Sequence, residues 1–207
     1  MKYREIYKHY EQCFIRHGDN HKGMDWPNYL DAQSRYRIMA DVIKFCQLEL
    51  ETPTMLDFGC GTGHFLDFLR AANLDIGYAG CDISHLFIEQ CRLKYPGEIF
   101  FQTDLLDGGA IDGKYDFICM NGVFTERRSL SNQEMWAFCE SMLGEVFRAA
   151  NHGVAVNFIT KNVDWEREDL FHLSLDKLTG FVSKSLSRNY IIRSDYGLYE
   201  YTIYIYR

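Results

Sequence analysis

Gly59, Gly61 and Gly63 stand at alternate positions after a short apolar run, Thr54-Met55-Leu56-Asp57-Phe58, and before an amphipathic stretch that begins His64-Phe65-Leu66. Glycines between a strand and a helix let the backbone take dihedrals that a Cβ would block and approach a ligand closely. A chain that leaves a strand for a helix in this way needs parallel partners for that strand. The sequence supplies them. Strand-like runs at 77–82, 99–103, 115–121 and 153–160 alternate with helical patterns at 64–72, 85–95, 132–150 and 174–186. This alternation predicts an α/β, three-layer, Rossmann-like fold, with a mostly parallel sheet covered by helices on both faces. Two runs at 189–195 and 200–206 close the chain with no helix between them, so they pair as an antiparallel hairpin.

The first fifty residues read differently. Segments 1–17 and roughly 28–50 have helical spacing, the second through Tyr29, Tyr36, Ile38, Met39, Val42, Ile43 and Phe45. The turn-rich HGDNHKGMDWPN lies between them. The expected organisation is one structural domain, with a helical lid over 1–50 and a ligand-binding core over 51–207. A length of 207 residues and 47% apolar composition suit one well-covered core.

Composition narrows the function. The net charge is −7 and no Lys/Arg run occurs, whereas nucleic-acid binders display a basic stripe. No large nucleic acid is expected as a partner. Seven scattered cysteines without CxxC spacing read as reduced thiols. The charged N-terminus is no signal peptide and no apolar run spans a bilayer. A cytoplasmic protein with no membrane partner is expected, and nothing opposes a homodimer.

Acids follow the strands in series. Asp57 precedes the first glycine, and the spacing is GxGxG, whereas the dinucleotide fingerprint GxGxxG would need glycine in place of His64. A carboxylate there suits a ligand bearing an ammonium group better than a pyrophosphate, which favours S-adenosylmethionine over NAD. Asp82 ends the next strand about twenty residues on, where an acid accepts hydrogen bonds from ribose hydroxyls. Ser84 is the more natural cap of the helix that follows. Asp104, beside Leu105, follows the third strand, where an acid and an apolar neighbour hold an adenine.

The series DFGCGTG, GCDIS, QTDLL and YDFICMN resembles the class I S-adenosylmethionine-dependent methyltransferases, over Thr54 to Arg207. The resemblance implies a seven-stranded sheet whose last strand is antiparallel and inserted between the fifth and sixth. It places Gly59, Gly61 and Gly63 along the methionine portion with Asp57 near its ammonium, Asp82 on the ribose, and Asp104 and Leu105 at the adenine. Cys60, Phe65, Ile83 and Asn121 complete the expected donor contacts. NFITKNVDWEREDLFH and YGLYEYTIYIYR resemble a subgroup of small bacterial methyltransferases associated with surface-polysaccharide or small-metabolite modification.

Acceptor residues are expected after the fourth and fifth strands and from the lid, because ligands of open α/β sheets bind beyond the strands' carboxyl ends. His172 is the expected general base, with Asp164 or Glu166 orienting it. Glu126 is a further catalytic candidate, and Trp26, Phe124, Arg127 and Tyr199 are acceptor candidates for a small molecule. Asn121 and Phe124 fall where methyltransferases of planar nitrogens carry Asn-Pro-Pro-aromatic, but Gly-Val replaces the prolines here. His17, Asp19, His21 and Asp25 lie in a glycine-containing loop, not on a helix face, so no metal is expected. Tyr196 and Tyr199, at the hairpin turn, are the two C-terminal tyrosines expected to reach a partner. The rival readings are a nicotinamide oxidoreductase, a non-catalytic donor-binding module, and an N-methyltransferase acting on a nucleobase or amide.

Overall fold

The computed structural model describes residues 2–48 and 50–207. Two helices lead, α1 (Arg4–His17) and α2 (Tyr29–Ala40), with a 3-10 turn over Asp41–Ile43. The alternating part follows: β1 (Thr54–Phe58), α3 (His64–Ala71), β2 (Gly77–Asp82), α4 (His85–Lys94), β3 (Ile99–Gln102), β4 (Tyr115–Met120), α5 (Asn132–Ala149) and β5 (Ala150–Thr160). The chain closes with β6 (His172–Leu173), α6 (Leu175–Ser185), β7 (Asn189–Arg193) and β8 (Glu200–Tyr206). The helix expected over 28–50 stops at Ala40, and the position-49 and position-1 ends of the two expected helices lie outside the described residues.

The strands order β3-β2-β1-β4-β5-β8-β7, with β6 added beside β5. All pairs from β3 to β5 are parallel, and β8 runs antiparallel between β5 and β7. This is the expected sheet, lengthened by the two-residue β6.

Period-2 alternation divides the core. Leu56 and Phe58, Val154, Val156 and Phe158, and Tyr201, Ile203 and Ile205 face α5 and α6. Met55, Phe117, Ala155, Tyr204 and Tyr206 face α2, α3 and α4. The interior strand β5 is buried from Val154 to Ile159 and, apart from Asn157, apolar there, as suits a strand covered on both faces. The hydroxyl of Tyr206 donates to the carbonyl of Val42 (2.8 Å) and that of Tyr204 to the carbonyl of Ile38, which ties β8 to the end of α2. Buried tyrosines need such partners. Tyr196 is one of them: it is buried and its hydroxyl bonds that of Thr202, so of the two hairpin tyrosines only Tyr199 reaches solvent.

Helix ends follow local chemistry. Ser84 caps α4 as expected, accepting from the Phe87 amide. Ser131 and Glu134 form a reciprocal capping box at α5.

Candidate active site

The carboxyl ends of β1, β2 and β4 converge on a narrow cavity of about 150 Å³, roofed by α1 and the loop after it. Gly59, Gly61 and Gly63 all have positive φ (81°, 54° and 83°). The geometry explains each glycine differently. A Cβ on Gly61 would sit 2.7 Å from Met24 Sδ, and one on Gly59 would sit 2.8 Å from Val123, both at the cavity wall. Gly63 does not line the cavity. It is the left-handed residue preceding α3, packed against the Tyr95 ring, where a Cβ would approach to 2.6 Å. Its expected contact with the donor is therefore corrected to a role in shaping the turn.

Three carboxylates line this cavity. Asp57, 2% exposed, accepts from the Tyr78 hydroxyl at 2.8 Å. Burial pushes its carboxyl up to about 7; the Tyr78 bond opposes the rise and Asp82 adds to it. Asp82 accepts from the amides of Gly61 (3.0 Å) and Ser84 (2.8 Å), yet burial still raises it to about 6. Asp104 accepts from the Tyr3 hydroxyl (2.7 Å) and from Arg4 (2.9 Å). Asn121 adds a buried Oδ1 with no partner among the described residues. Cys60, Phe65, Ile83 and Leu105 supply other parts of the wall. Among the described residues no lysine or arginine lines the cavity. A site rich in acceptors and poor in cations suits a cationic ligand and opposes a pyrophosphate.

The roof is latched at several points. Asp19 accepts from Thr62 (2.6 Å), pairs with His64 (2.8 Å) and binds Lys94 (2.8 Å), which spans the glycine loop and α4. Burial opposes its charge, but His64, Lys94 and Thr62 outweigh it and hold the carboxyl well below the usual range. Ser84 donates to Glu11, and Arg4 also reaches Asp107. Nothing in the sequence singles out Tyr3, Arg4 or Glu11, and it offers Asp19 only as one of four loop residues considered for a metal.

A second, wider cavity of about 810 Å³ adjoins the first, and Tyr10, Met24 and Trp26 belong to both. Asp25, Asp31, Glu126, Asp164 and Glu200 contribute carboxylates to its wall; Lys22, Arg35 and Arg167 contribute cations. Trp165 and Tyr199, 74% and 69% exposed, stand at it as large uncovered aromatic surfaces. Behind Trp26 lies a buried network. Arg35 stacks on the Trp26 ring at 4.2 Å and forks onto Glu200. Glu200 accepts from Asn157 (2.9 Å), whose Oδ1 accepts from the Gly122 amide (2.8 Å).

Residues 56–143 match the family of the methyltransferase domain. Over 151 residues the chain is 29% identical to a Mycobacterium tuberculosis (strain H37Rv) protein with a provisional methyltransferase assignment, spanning 72% of this chain and 90% of that one. The magnesium protoporphyrin IX methyltransferase of Synechocystis, solved with S-adenosylmethionine, superposes with a TM-score of 0.60 at 16% identity, over 86% of this chain and 80% of that one. The plantazolicin methyltransferase BpumL does so with 0.61 at 13%, over 100% and 98%. At such identities the superpositions speak for the fold, and the domain match speaks for the chemistry. The chain is an S-adenosylmethionine-dependent methyltransferase, with the matched domain over residues 56–143.

Around the wide cavity the structure departs from several sequence expectations. His172 lines the wide cavity, but its Nδ1 donates to the Thr160 carbonyl (2.8 Å) and its Nε2 accepts from the Arg167 amide (3.2 Å). Both nitrogens are committed, so it ties two loop strands together and has no lone pair for a substrate proton. Neither expected carboxylate orients it: Asp164 stands exposed at the cavity and Glu166 pairs with Lys161. Phe124 is fully buried, stacked on Phe158 at 5.5 Å, and belongs to the core. Arg127 lines neither cavity; its guanidinium donates to the carbonyls of Leu130 and Glu168 and staples the loop after β4 to the loop after β5. Trp26, Tyr199 and Glu126 do line the wide cavity. Glu126 is 5% exposed, and burial raises its carboxyl despite the bond from Arg128 at 3.1 Å.

Proposed function

We propose that this methyltransferase holds its donor in the narrow cavity and methylates an oxygen or nitrogen of a small polar acceptor that enters through the wide one. The observation that carries the reading is the shared wall of Tyr10, Met24 and Trp26, with acceptor atoms and, among the described residues, no lysine or arginine lining the narrow cavity. Asp57 and the unpartnered Oδ1 of Asn121 would take the ammonium of the methionine portion. Asp82 would take the ribose hydroxyls, and Asp104, Leu105 and Ile83 the adenine, with Cys60 and Phe65 completing the wall. The bound donor supplies a methyl group on a sulfonium, which needs an aligned nucleophile more than it needs protein chemistry.

This chain's residues therefore orient, exclude water and manage one proton. The latched N-terminal segment covers the cavity and keeps water out. Glu126 is the proposed base for a hydroxyl acceptor. Buried, with its proton affinity raised, it accepts a proton nearer neutral pH than an exposed glutamate does. Trp26, Trp165 and Tyr199 would pack against the acceptor and Asp164 would bond it. Flat aromatic surfaces interspersed with carboxylates suit a polyhydroxylated ring, which supports a sugar or surface-glycan precursor as acceptor. The work would be done in the bacterial cytoplasm. All seven cysteines are free, and among the described residues no helix is long and apolar enough to cross a membrane.

Thermal unfolding with S-adenosylhomocysteine, S-adenosylmethionine or NADH tests the donor site. Saturation at about a hundred times the dissociation constant adds roughly 2.7 kcal/mol, a rise of about 5–11 °C for a chain this long. The adenosyl ligands should give the shift and Asp82→Ala should abolish it. A shift with NADH alone, or with none of the three, refutes the assignment. Release of S-adenosylhomocysteine across a panel of hydroxylated acceptors then tests turnover. Binding without release across the panel would leave a donor-binding module.

A further inference from the structure

One cluster takes no part in the proposed donor site and meets the wide cavity only through Asp25. His9 and Cys13 are one turn apart on α1, so their side chains share a face of the helix. The loop after α1 returns to place Asp25 over them. Asp25 has φ 57°, a left-handed conformation in which aspartate is one of the few tolerated non-glycine residues. His9 Nε2 lies 2.7 Å from Asp25 Oδ2 and 3.7 Å from Cys13 Sγ. The three donor atoms are all within 4.8 Å of one another. Glu126, a buried carboxylate, lies within electrostatic reach of both His9 and Asp25.

We propose that His9, Cys13 and Asp25 form a site for a divalent transition-metal ion, zinc by its donor chemistry, that fastens the lid loop to α1. An imidazole nitrogen, a sulfur and a carboxylate oxygen make a borderline-soft set that selects zinc over magnesium or calcium. Zinc sits about 2.0–2.3 Å from such ligands, which sets neighbouring donors roughly 3.3–3.8 Å apart. The His9–Cys13 distance already meets that requirement, and the His9–Asp25 distance needs to open by about half an ångström. Three protein ligands leave a fourth position for water or for an acceptor oxygen, the arrangement of an open zinc site. Asp25 is at once a member of the cluster and part of the wide cavity's wall. An ion there would fix the loop that carries Met24 and Trp26, the two residues shared between the cavities. Neither His17 nor His21 takes part, so the site differs from the loop set that the sequence offered and dismissed.

The site is independent of the donor assignment, and cobalt reports on it directly. The full chain, stripped with a chelator, is titrated with Co²⁺ and the absorption followed. The expected result is one equivalent bound, with a thiolate-to-cobalt band in the near ultraviolet and intense visible bands of a four-coordinate ion. Cys13→Ser should abolish the thiolate band, and Cys46→Ser should leave it intact. Zinc should compete the cobalt out and raise the unfolding midpoint by roughly 5–11 °C at a hundred times its dissociation constant. No thiolate band, or one that survives Cys13→Ser, overturns the proposal. Should Cys13→Ser fail to fold, Asp25→Asn alters an exposed side chain and must weaken cobalt binding at least tenfold; unchanged affinity also overturns it.

Discussion

The Asp57→Asn substitution separates what the site costs the fold from what it gives the ligand. In the free protein the Asp57 carboxyl is lifted from an ordinary 3.8 to about 7 by burial. Between those values the folded state holds a proton that the unfolded state has released, so stability falls as pH rises through the window. The full displacement corresponds to roughly 4 kcal/mol at about 1.4 kcal/mol per pH unit. Part of that has already been lost at pH 5, which leaves roughly 2–3 kcal/mol to be lost between pH 5 and pH 8. Asparagine keeps the shape and can still accept from Tyr78, but it does not ionise. The stability gap between Asp57→Asn and the native chain should therefore widen in the variant's favour by roughly 2–3 kcal/mol from pH 5 to pH 8. In thermal unfolding that is a relative gain of about 4–12 °C. Donor binding should move the other way. Native affinity for S-adenosylhomocysteine should climb from pH 5.5 to 8 as its ammonium meets an ionised Asp57, while the variant stays weak and nearly flat. Midpoints measured at both pH values without ligand, and isothermal titration with it, decide the matter. Parallel pH–stability curves for the two proteins would refute the reasoning, because they would show that Asp57 is not held protonated by its surroundings.

Arg35→Met should cost about 3–5 kcal/mol in urea unfolding, since it strands Glu200 as an unpaired buried charge beside Asn157. Phe124→Ala should cost about 3–5 kcal/mol by emptying a fully buried ring position, and the loss should be the same with or without donor. Gly63→Ala should lower stability by about 1–3 kcal/mol, because φ is 83° and the new Cβ meets the Tyr95 ring; the thermal midpoint reads this. With any hydroxyl acceptor that turns over, Glu126→Gln should lower kcat by about 10²–10⁴-fold and His172→Asn by less than tenfold. The reverse order would restore His172 as the base.

The convergence of the three acids was legible because sheet topology fixes where strand ends lie. Asp57 and Asp82 stand at the carboxyl ends of β1 and β2, Asp104 just follows β3, and the three strands are neighbours in the order β3-β2-β1. Local sequence spacing therefore carried spatial information, and the acids could be placed without coordinates. The lid offered no such rule. Tyr3 and Arg4 reach Asp104 across a hundred residues, Glu11 reaches Ser84 across 73, and Asp19 reaches His64 across 45. None of these pairs has a periodicity or a motif to betray it. The two-residue β6 is too short to leave a pattern, and β5 begins at Ala150 because pairing with β4 extends it through Asn151 and His152, which look like turn formers.

One physical cause draws Phe124, Arg127 and His172 into the scaffold. All three follow strands at the carboxyl end of the sheet, which is why the sequence points to them, and all three do lie there. What sequence could not show is that the loops after β4 and β5 bind each other. The Glu126–Leu170 bridge, the amides of Arg127 and Arg128 on the Asp169 carbonyl, and the Phe171 amide on the Thr125 carbonyl zip them into one unit. Inside such a unit a histidine is best used satisfying backbone groups, an arginine stapling carbonyls and a phenylalanine filling the core. Within these two loops, Glu126 has its carboxylate both buried and at the wide cavity's wall, paired with Arg128. A residue's place at the end of a strand therefore marks where a site lies, and the unspent hydrogen-bonding capacity of its side chain decides whether it serves the site or the scaffold.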